Sequence, residues 1–447
     1  MADLLIRLGP AAGGEGGQWR WPALGMFTVG YGANQFVPLL AVYHSSLHLS
    51  DAEATAIFGV YALGLIPGLL LGGRASDRYG RRPLMLGFAA LSLVATAVLI
   101  TGRWGAGGLY AGRLLTGVVS GTVFTVGTAW VKELSEGSPP GTGARRAALA
   151  LTAGFGVGPL VAGPLAQWAP APEVLPYVVH LALAAAAVVL LPRARETRPP
   201  GAAPARRPRL LPVSVSTRGF RRVVLPLGPW VFGSVTMVFT TLPAHGVRSI
   251  GSLGVALPGL LAAGSLAAGF AVQPWGRRLH ARSAVDGGAG APVVGLAVVV
   301  AGCLVAAGAT ARPGLLAGAA AALLLGAGYG LCLIVGLREV ERLAAPEELG
   351  AVVAVFYSLA YSGLAIPYLL ARAAPHVGYP SALLVTAGAA ALTLLVVLLG
   401  ARRRSLSRVP APGGGHHRWS VRPRPRSDQR VLFESMLSVP SHPLELP

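Results

Sequence analysis

"GGRASDRYGRRPLML", Gly72 to Leu86, packs Arg74, Asp77, Arg78, Arg81 and Arg82 into one short bend. The twenty residues before it hold one charge, Glu53, and the twenty after it hold one, Arg103. The surrounding composition explains the contrast. The chain has 447 residues, 53% hydrophobic and 12% charged, with a mean hydropathy of +0.61. A soluble protein carries about a quarter of its residues charged, so most of this surface must face something other than water. The net charge is +20, from 37 Lys+Arg against 17 Asp+Glu, and Lys132 is the sole lysine. In a soluble chain that balance would suggest nucleic acid. Here the arginines punctuate apolar runs, which is loop charge on a membrane protein, and no nucleic-acid partner is expected.

About 20 apolar residues are needed for a helix to cross the hydrocarbon core. Twelve stretches qualify: 22–43, 54–73, 84–101, 108–131, 147–168, 174–191, 223–243, 253–272, 292–311, 314–337, 350–371 and 380–399. None shows the alternation of a membrane barrel. With the N-terminus inside, 32 of the 37 basic residues fall in cytoplasmic segments, and four, Arg103, Arg248, Arg312 and Arg372, in external ones. Arg113 alone lies within a span. The positive-inside rule therefore puts both ends in the cytoplasm.

The predicted organisation is a cytoplasmic tail over 1–21, a six-helix bundle over 22–191, a linker over 192–222, a second six-helix bundle over 223–399, and a tail over 400–447. The linker is basic and Pro-rich and reads as lying on anionic headgroups. The last segment lacks apolar periodicity and reads as disordered. The first residues, "MADLLIRLGPAAGGEGGQWRW", hold too short an apolar stretch for a signal peptide. Cys303 and Cys332 sit singly in apolar runs, with neither metal spacing nor a disulfide framework. No nucleophile–base pair or metal cluster is legible, so neither an enzyme nor a cofactor is expected.

The bend has a degraded copy. Gly73, Asp77, Gly80, Arg81 and Arg82 align with Gly269, Gln273, Gly276, Arg277 and Arg278, each 196 residues later and between the second and third span of its half. A repeat of whole bundles is the mark of many secondary transporters. The stretch resembles the loop between helices 2 and 3 of the major facilitator superfamily, G-x-L-A-D-R-x-G-R-K/R. Gly73, Asp77, Arg78, Gly80, Arg81 and Arg82 match it, while Ala75 and Ser76 depart from the usual Leu and Ala.

The resemblance implies an all-α membrane protein of twelve helices in two pseudo-symmetric six-helix bundles. It also implies a latch. Asp77 is expected at the N-terminus of the eleventh span, near Leu349 and Gly350, where N–H groups and the helix dipole favour a carboxylate. Arg81 is expected to pair with Glu133 at the end of span 4. Gly73 and Gly80 are expected to allow close approach and a tight turn. The set would close the inner side while the outer side is open. Orientation alone would account for Arg74, but not for Asp77 or the glycines.

Arg113 is costly inside a membrane. It either snorkels to headgroups or faces a cavity. Thr116, Gly117, Ser120 and Phe124 share its helical face, small or polar as a cavity wall requires. Arg113, Gly117 and Gly121 resemble the family's helix-4 pattern R-x-x-x-G-x-x-x-G, whose Arg is linked to proton coupling. In span 5, Gly154, Gly158, Pro159 and Gly163 resemble the G-x-x-x-G-P-x-x-G-G pattern of drug/proton antiporters, with Ala162 in place of one glycine. Ordinary small-residue packing is the plainer account of those glycines.

Tyr31, Asn34 and Gln35, on one side of span 1 with Phe27 and Pro38, and Ser120 are further substrate or coupling candidates. Thr236, Thr240 and Thr241 mark span 7. Tyr357, Tyr361 and Tyr368 form a stripe on span 11 that reads first as packing, and His180 reads as satisfied locally. No Asp or Glu falls within a span, so the coupling ion stays open.

The expectation is a monomeric inner-membrane transporter of a bacterium with a GC-rich genome. Its partners are a small-molecule substrate, coupled or not to protons, and the lipid bilayer. Export of small organic molecules by alternating access comes first. Uptake of an organic anion or nutrient, with Arg113 as the anion's partner, is the alternative. A non-transporting scaffold or sensor on the same fold is a third.

Overall fold

A computed structural model describes residues 17–198, 212–247, 254–285, 290–345 and 347–406. The expectations for residues 1–16, the linker centre and the tail beyond 406 lie outside the described residues. Every described regular element is helical. The first half holds α1 (Arg20–Asn34), α2 (Phe36–Ser46), α3 (Asp51–Tyr79), α4 (Arg81–Ile100), α5 (Ala106–Glu133), α6 (Thr142–Trp168) and α7 (Leu175–Leu190). The second holds α8 (Leu225–Phe239), α9 (Ala256–Val285), α10 (Gly290–Ala311), α11 (Leu315–Leu343), α12 (Leu349–Ser362), α13 (Ala365–Val377) and α14 (Tyr379–Leu406).

These helices account for the twelve spans, with two departures. First, many overrun the apolar stretch. The run 54–73 becomes α3 at 51–79, and 314–337 becomes α11 at 315–343. Polar residues at a helix end still satisfy their backbone in water, so hydropathy marks the hydrocarbon rather than the helix. Second, three spans are broken. Span 1 is interrupted at Gln35, so neither α1 nor α2 alone reaches the length of a crossing helix; among the described residues the other eleven spans do, three of them only when α7, α8 or α12 is joined to the turn or helix that adjoins it. The cause is Pro38, which offers no N–H to the carbonyl of Asn34 and crowds that turn. Span 7 breaks at Thr240, followed by a π-turn over Leu242–Gly246 that contains Pro243, and span 11 breaks between α12 and α13. Non-helical backbone at membrane depth is tolerated where it lines a cavity. Asn34, Phe239 and Leu364, each at a break, all do.

Local signals set the ends. Ser50 starts α3 with a capping box: its Oγ accepts the N–H of Glu53 at 3.2 Å, and the Glu53 carboxylate accepts the N–H of Ser50 at 2.9 Å. Gly80 ends α3 at φ 96°, ψ 158°, a backbone region open to glycine. The degraded copy does not repeat this bend. α9 runs helical through Gln273, Gly276, Arg277 and Arg278 to Val285, and its two arginines are exposed.

Within each half the second and fourth spans meet backbone to backbone. A methyl group at Gly64 would strike the Leu114 carbonyl, one at Gly68 the Val118 carbonyl, and one at Gly117 or Gly121 the carbonyl of Tyr61 or Leu65. Gly269 and Gly330 repeat that contact between α9 and α11. Small residues four apart permit this approach. The register corrects the expectation for Gly73, which meets Thr125 at an ordinary 3.5 Å; Gly72, 3.1 Å from Thr122 Cα, is the tight position. Between the halves, α6 and α2 pack on α9, and α3 packs on α12 and α13. Leu63, Val189, Leu316 and Val385 project from the outer faces, more than two-thirds exposed. That leaves an apolar surface for lipid.

Candidate functional site

At the Gly80 end, hereafter the charged end, the bend folds around Arg81. The buried guanidinium pairs with Glu133 through Nη2 at 2.8 Å and with Asp77 through Nη1 at 3.0 Å, and Nη1 also donates to Ser76 Oγ. The start of the linker completes the cluster. Glu196 accepts the backbone N–H groups of Arg81 (3.0 Å), Arg82 (2.8 Å) and Arg198 (2.9 Å), closing the first turn of α4. Thr197 donates its hydroxyl to Glu133, and Arg198 Nη1 stands 3.4 Å from the Asp77 carboxylate. Arg82 and Arg78 point outward, Arg78 lying 5.2 Å from the Tyr79 ring.

Asp77 is therefore held by Arg81 and Arg198 rather than by the N–H groups near Leu349 and Gly350. The physical reason is local: two guanidinium groups lie beside it. The start of α12 is occupied differently. The Glu348 carboxylate there accepts the N–H groups of Val213 and Ser214, each at 3.0 Å, and the Ser214 hydroxyl at 2.6 Å. Both described ends of the linker are thus fastened by a glutamate. Glu196 had a signal in the sequence, as the one acid among nine arginines of the linker.

Midway along the helices, a cavity lies between the halves. Phe58, Tyr61, Phe155, Phe232, Phe239, Tyr329 and Tyr361 give it seven aromatic walls, with Asn34, Thr236 and Arg113 as its polar groups. Phe232 stacks on Tyr361 with centroids 4.2 Å apart, and Tyr61 meets Tyr361 edge-on at 6.2 Å, so rings from both halves interlock. Of the tyrosine stripe on span 11, Tyr361 alone reaches this wall.

Arg113 is 1% exposed. It donates from Nη1 to the Ala33 carbonyl at 2.9 Å and from Nη2 to the Phe58 carbonyl at 3.1 Å. Its guanidinium carbon lies 4.6–5.1 Å from the ring centroids of Tyr61, Phe36 and Phe58. That burial rules out snorkelling. Carbonyl dipoles and π faces meet the charge; among the described residues no carboxylate does, and Nε has no hydrogen-bond partner.

The other candidates divide. Asn34 lines the cavity and donates to the Phe155 carbonyl at 3.3 Å. Tyr31, Gln35 and Ser120 are buried within the first half and do not line the cavity; the Tyr31 hydroxyl and both Gln35 amide atoms lack partners, and Ser120 lies beside Tyr61 of the lining. Tyr31 stacks against His180, whose Nδ1 pairs with Thr96 Oγ1 at 2.8 Å.

The Gly-Pro pattern of α6 serves two interfaces. Gly154 and Gly158 abut the backbone of Phe27 and Tyr31 on α1, so they pack the first half. Gly163 lies against Ala256, and the Pro159 carbonyl faces Gly259, both on α9 of the second half. Farther from the charged end, Gln167 Oε1 accepts the N–H groups of Val255 (2.6 Å) and Ala256 (3.2 Å) across the same boundary.

A second cavity opens at that opposite end. Thr240, Thr241 and Phe239 are among its walls, with Asp51, His245 and Tyr379. Phe239 lines both cavities and meets Phe58 edge-on at 6.2 Å, so this pair stands between vestibule and central cavity.

Known proteins are similar to parts of this chain or to its fold. A stretch of 63 residues, 14% of this chain and 15% of its relative, is 44% identical to the 3-(3-hydroxy-phenyl)propionate transporter of Escherichia coli (strain K12). Multidrug resistance protein MdtL of Escherichia coli O45:K1 (strain S88 / ExPEC) is 32% identical over 89 residues, 20% of this chain and 22% of that one. Solute carrier family 2, facilitated glucose transporter member 8 of Bos taurus is 32% identical over 109 residues, 24% and 23% of the two chains. The matches thus span less than a quarter of these relatives. Over the whole fold, the crystal structure of a POT family transporter in complex with thioalcohol conjugated peptide superposes with a TM-score of 0.69 at 13% identity, covering 87% of this chain and 96% of that one. A second POT family structure, in complex with 5-aminolevulinic acid, gives 0.67 with the same coverage. The family model of the Major Facilitator Superfamily matches residues 23–366. With broken helices around a central cavity and that match over most of its length, the chain belongs to the Major Facilitator Superfamily.

Proposed function

We propose that the chain is a secondary active transporter that exports small organic molecules by alternating access. Its charged end faces the cytoplasm, both termini lie inside, and it works as a monomer in a bacterial inner membrane. The observation that carries this reading is the pair of cavities in line between the halves, separated by Phe58 and Phe239. Such a path needs a conformational change to let a solute through. The aromatic walls suit a flat apolar molecule, and the Gly-Pro segment on the α6–α9 boundary supports the exporter's direction. Local likeness to MdtL agrees with it. In this arrangement hydrogen bonds described between the halves lie at the outer end, at Gln167 and Asp51. Asp77, held here by Arg81 and Arg198, exchanges partners when the inner side closes.

The test uses everted and right-side-out vesicles with an imposed proton gradient and a panel of neutral, cationic and anionic aromatic dyes. Accumulation in everted vesicles, abolished by Asp77→Asn at unchanged expression, is expected. Accumulation confined to right-side-out vesicles overturns export. A second reading, carriage of an organic anion, is favoured by the unpartnered Nε of Arg113. It predicts preference for the anionic dyes.

A further inference from the structure

At the vestibule one carboxylate is shared by both halves. Asp51 opens α3, and its Oδ1 stands 3.2 Å from His44 Nε2 on α2 of the same half. Its Oδ2 faces the other half, 3.0 Å from His245 Nε2, and accepts the Tyr379 hydroxyl at 2.8 Å. The His245 ring stacks on Tyr379 with centroids 3.8 Å apart, so the two present themselves to Asp51 as one rigid face. Asp51 and His245 are each 30% exposed, within reach of solvent protons. His44, Asp51, His245 and Tyr379 are the ionisable side chains of the vestibule wall; α9 contributes Pro258 and Gly254 precedes it. Glu53, two residues along, is engaged by Ser50.

We propose that Asp51 and His245 form a proton-binding site that fastens the two halves at the outer mouth, so that external pH sets how readily the vestibule widens. This rests on the alternating-access reading above. Widening must part α3 from His245 and Tyr379, breaking both bonds to Oδ2. The His245 bond depends on charge. A protonated ring makes a charge-assisted pair with the carboxylate, and a neutral ring makes an ordinary hydrogen bond. Histidine is the side chain that changes charge across the physiological range. A proton on His245 therefore favours the fastened state. A proton on Asp51 acts in the opposite sense, removing the anion that both partners seek. Fastening is strongest while Asp51 is charged and His245 is protonated, and it weakens when either condition is lost. His44 travels with Asp51, so its bond survives widening. The Gln167 link carries no titratable group, so closure is graded by pH rather than abolished.

The experiment places spin labels at Ala171→Cys and Leu315→Cys, one on each half near the outer end. Cys303 and Cys332 are replaced by Ser, and the full chain is reconstituted in lipid nanodiscs. Distances are read by pulsed electron resonance at about pH 6 and about pH 8.5, either side of histidine's ordinary range. A shorter-distance population is expected at the lower pH, with the ratio of long to short rising at the higher one. His245→Gln should flatten that response, Asp51→Asn should flatten it and favour the long distance throughout, and His44→Gln should retain it. Two populations whose ratio ignores pH, or a response unchanged in His245→Gln, overturn the proposal and leave alternating access standing. One unvarying distance in every variant overturns both.

Discussion

Replacing Glu196 by Gln tests whether the linker is built into the charged end. The carboxylate accepts three backbone N–H groups at 2.8–3.0 Å, from Arg81, Arg82 and Arg198. A glutamine keeps one acceptor oxygen and turns an NH₂ group towards at least one of those donors. Each hydrogen bond to a charged group is worth about 1.5–3 kcal/mol, and the favourable charge at the start of α4 adds about 0.3–1 kcal/mol. Glu196 is half-buried, and water replaces part of what is lost, so the net cost is about 1–2 kcal/mol, comparable to losing a helix N-cap. One to two kcal/mol is a factor of about 5–30 in a local opening equilibrium. Hydrogen exchange followed by mass spectrometry should show the amides of Arg81 and Arg82 exchanging faster by that factor. Amides in the middle of α4, such as Ala90 to Leu93, should be unchanged. Equal protection in variant and wild type at Arg81 and Arg82 would refute the capping role.

Three further outcomes are expected. Gly80→Ala forces a side chain into φ 96°, ψ 158°, costing about 1–3 kcal/mol, which thermal unfolding in detergent should report as a lower midpoint. Gly158→Ala sets a methyl 2.5 Å from the Tyr31 carbonyl, whereas Gly156→Ala meets nothing within 4 Å; the first should lose about 1–3 kcal/mol of stability and the second almost none, by the same melting assay. Arg113→Gln should retain binding of a neutral dye while coupled transport fails, because backbone carbonyls rather than a bound anion hold the guanidinium; a loss of neutral-dye binding measured by fluorescence titration contradicts that.

Hydropathy and arginine placement made the helical fold legible, because lipid demands long apolar runs and little else. The bend was legible because Gly80 and Arg81 are consecutive with their partners' motif. What stayed hidden depends on distant chain. Asp51 reads as a loop acid, yet its partners His245 and Tyr379 lie 194 and 328 residues away. Asp77's choice of Arg198 over the start of α12 hinges on how the linker docks, which no span pattern encodes. The break at Gln35 had a local cause in Pro38, but membrane helices often carry proline unbroken, so the residue alone did not mark it. The aromatic walls look like packing in any one helix; they become a cavity when Phe232, Tyr329 and Tyr361 of the second half meet Phe58 and Tyr61 of the first.

The glycine seam between α3 and α5 has a mechanical consequence. Carbonyls of one helix rest against α-carbons of the other at Gly64, Gly68, Gly117 and Gly121, so no side chain is available to yield between them. Sliding by one residue would drive a Cβ into a carbonyl, and bending one helix must bend both. The pair behaves as a single beam about 40 Å long, at 1.5 Å per residue. Arg81 and Glu133 clamp its charged end, Asp51 sits at its far tip, and Arg113 is mounted on its flank. A torque applied at the bend therefore reaches the vestibule as rotation of the whole beam, with little lost to compression along the way.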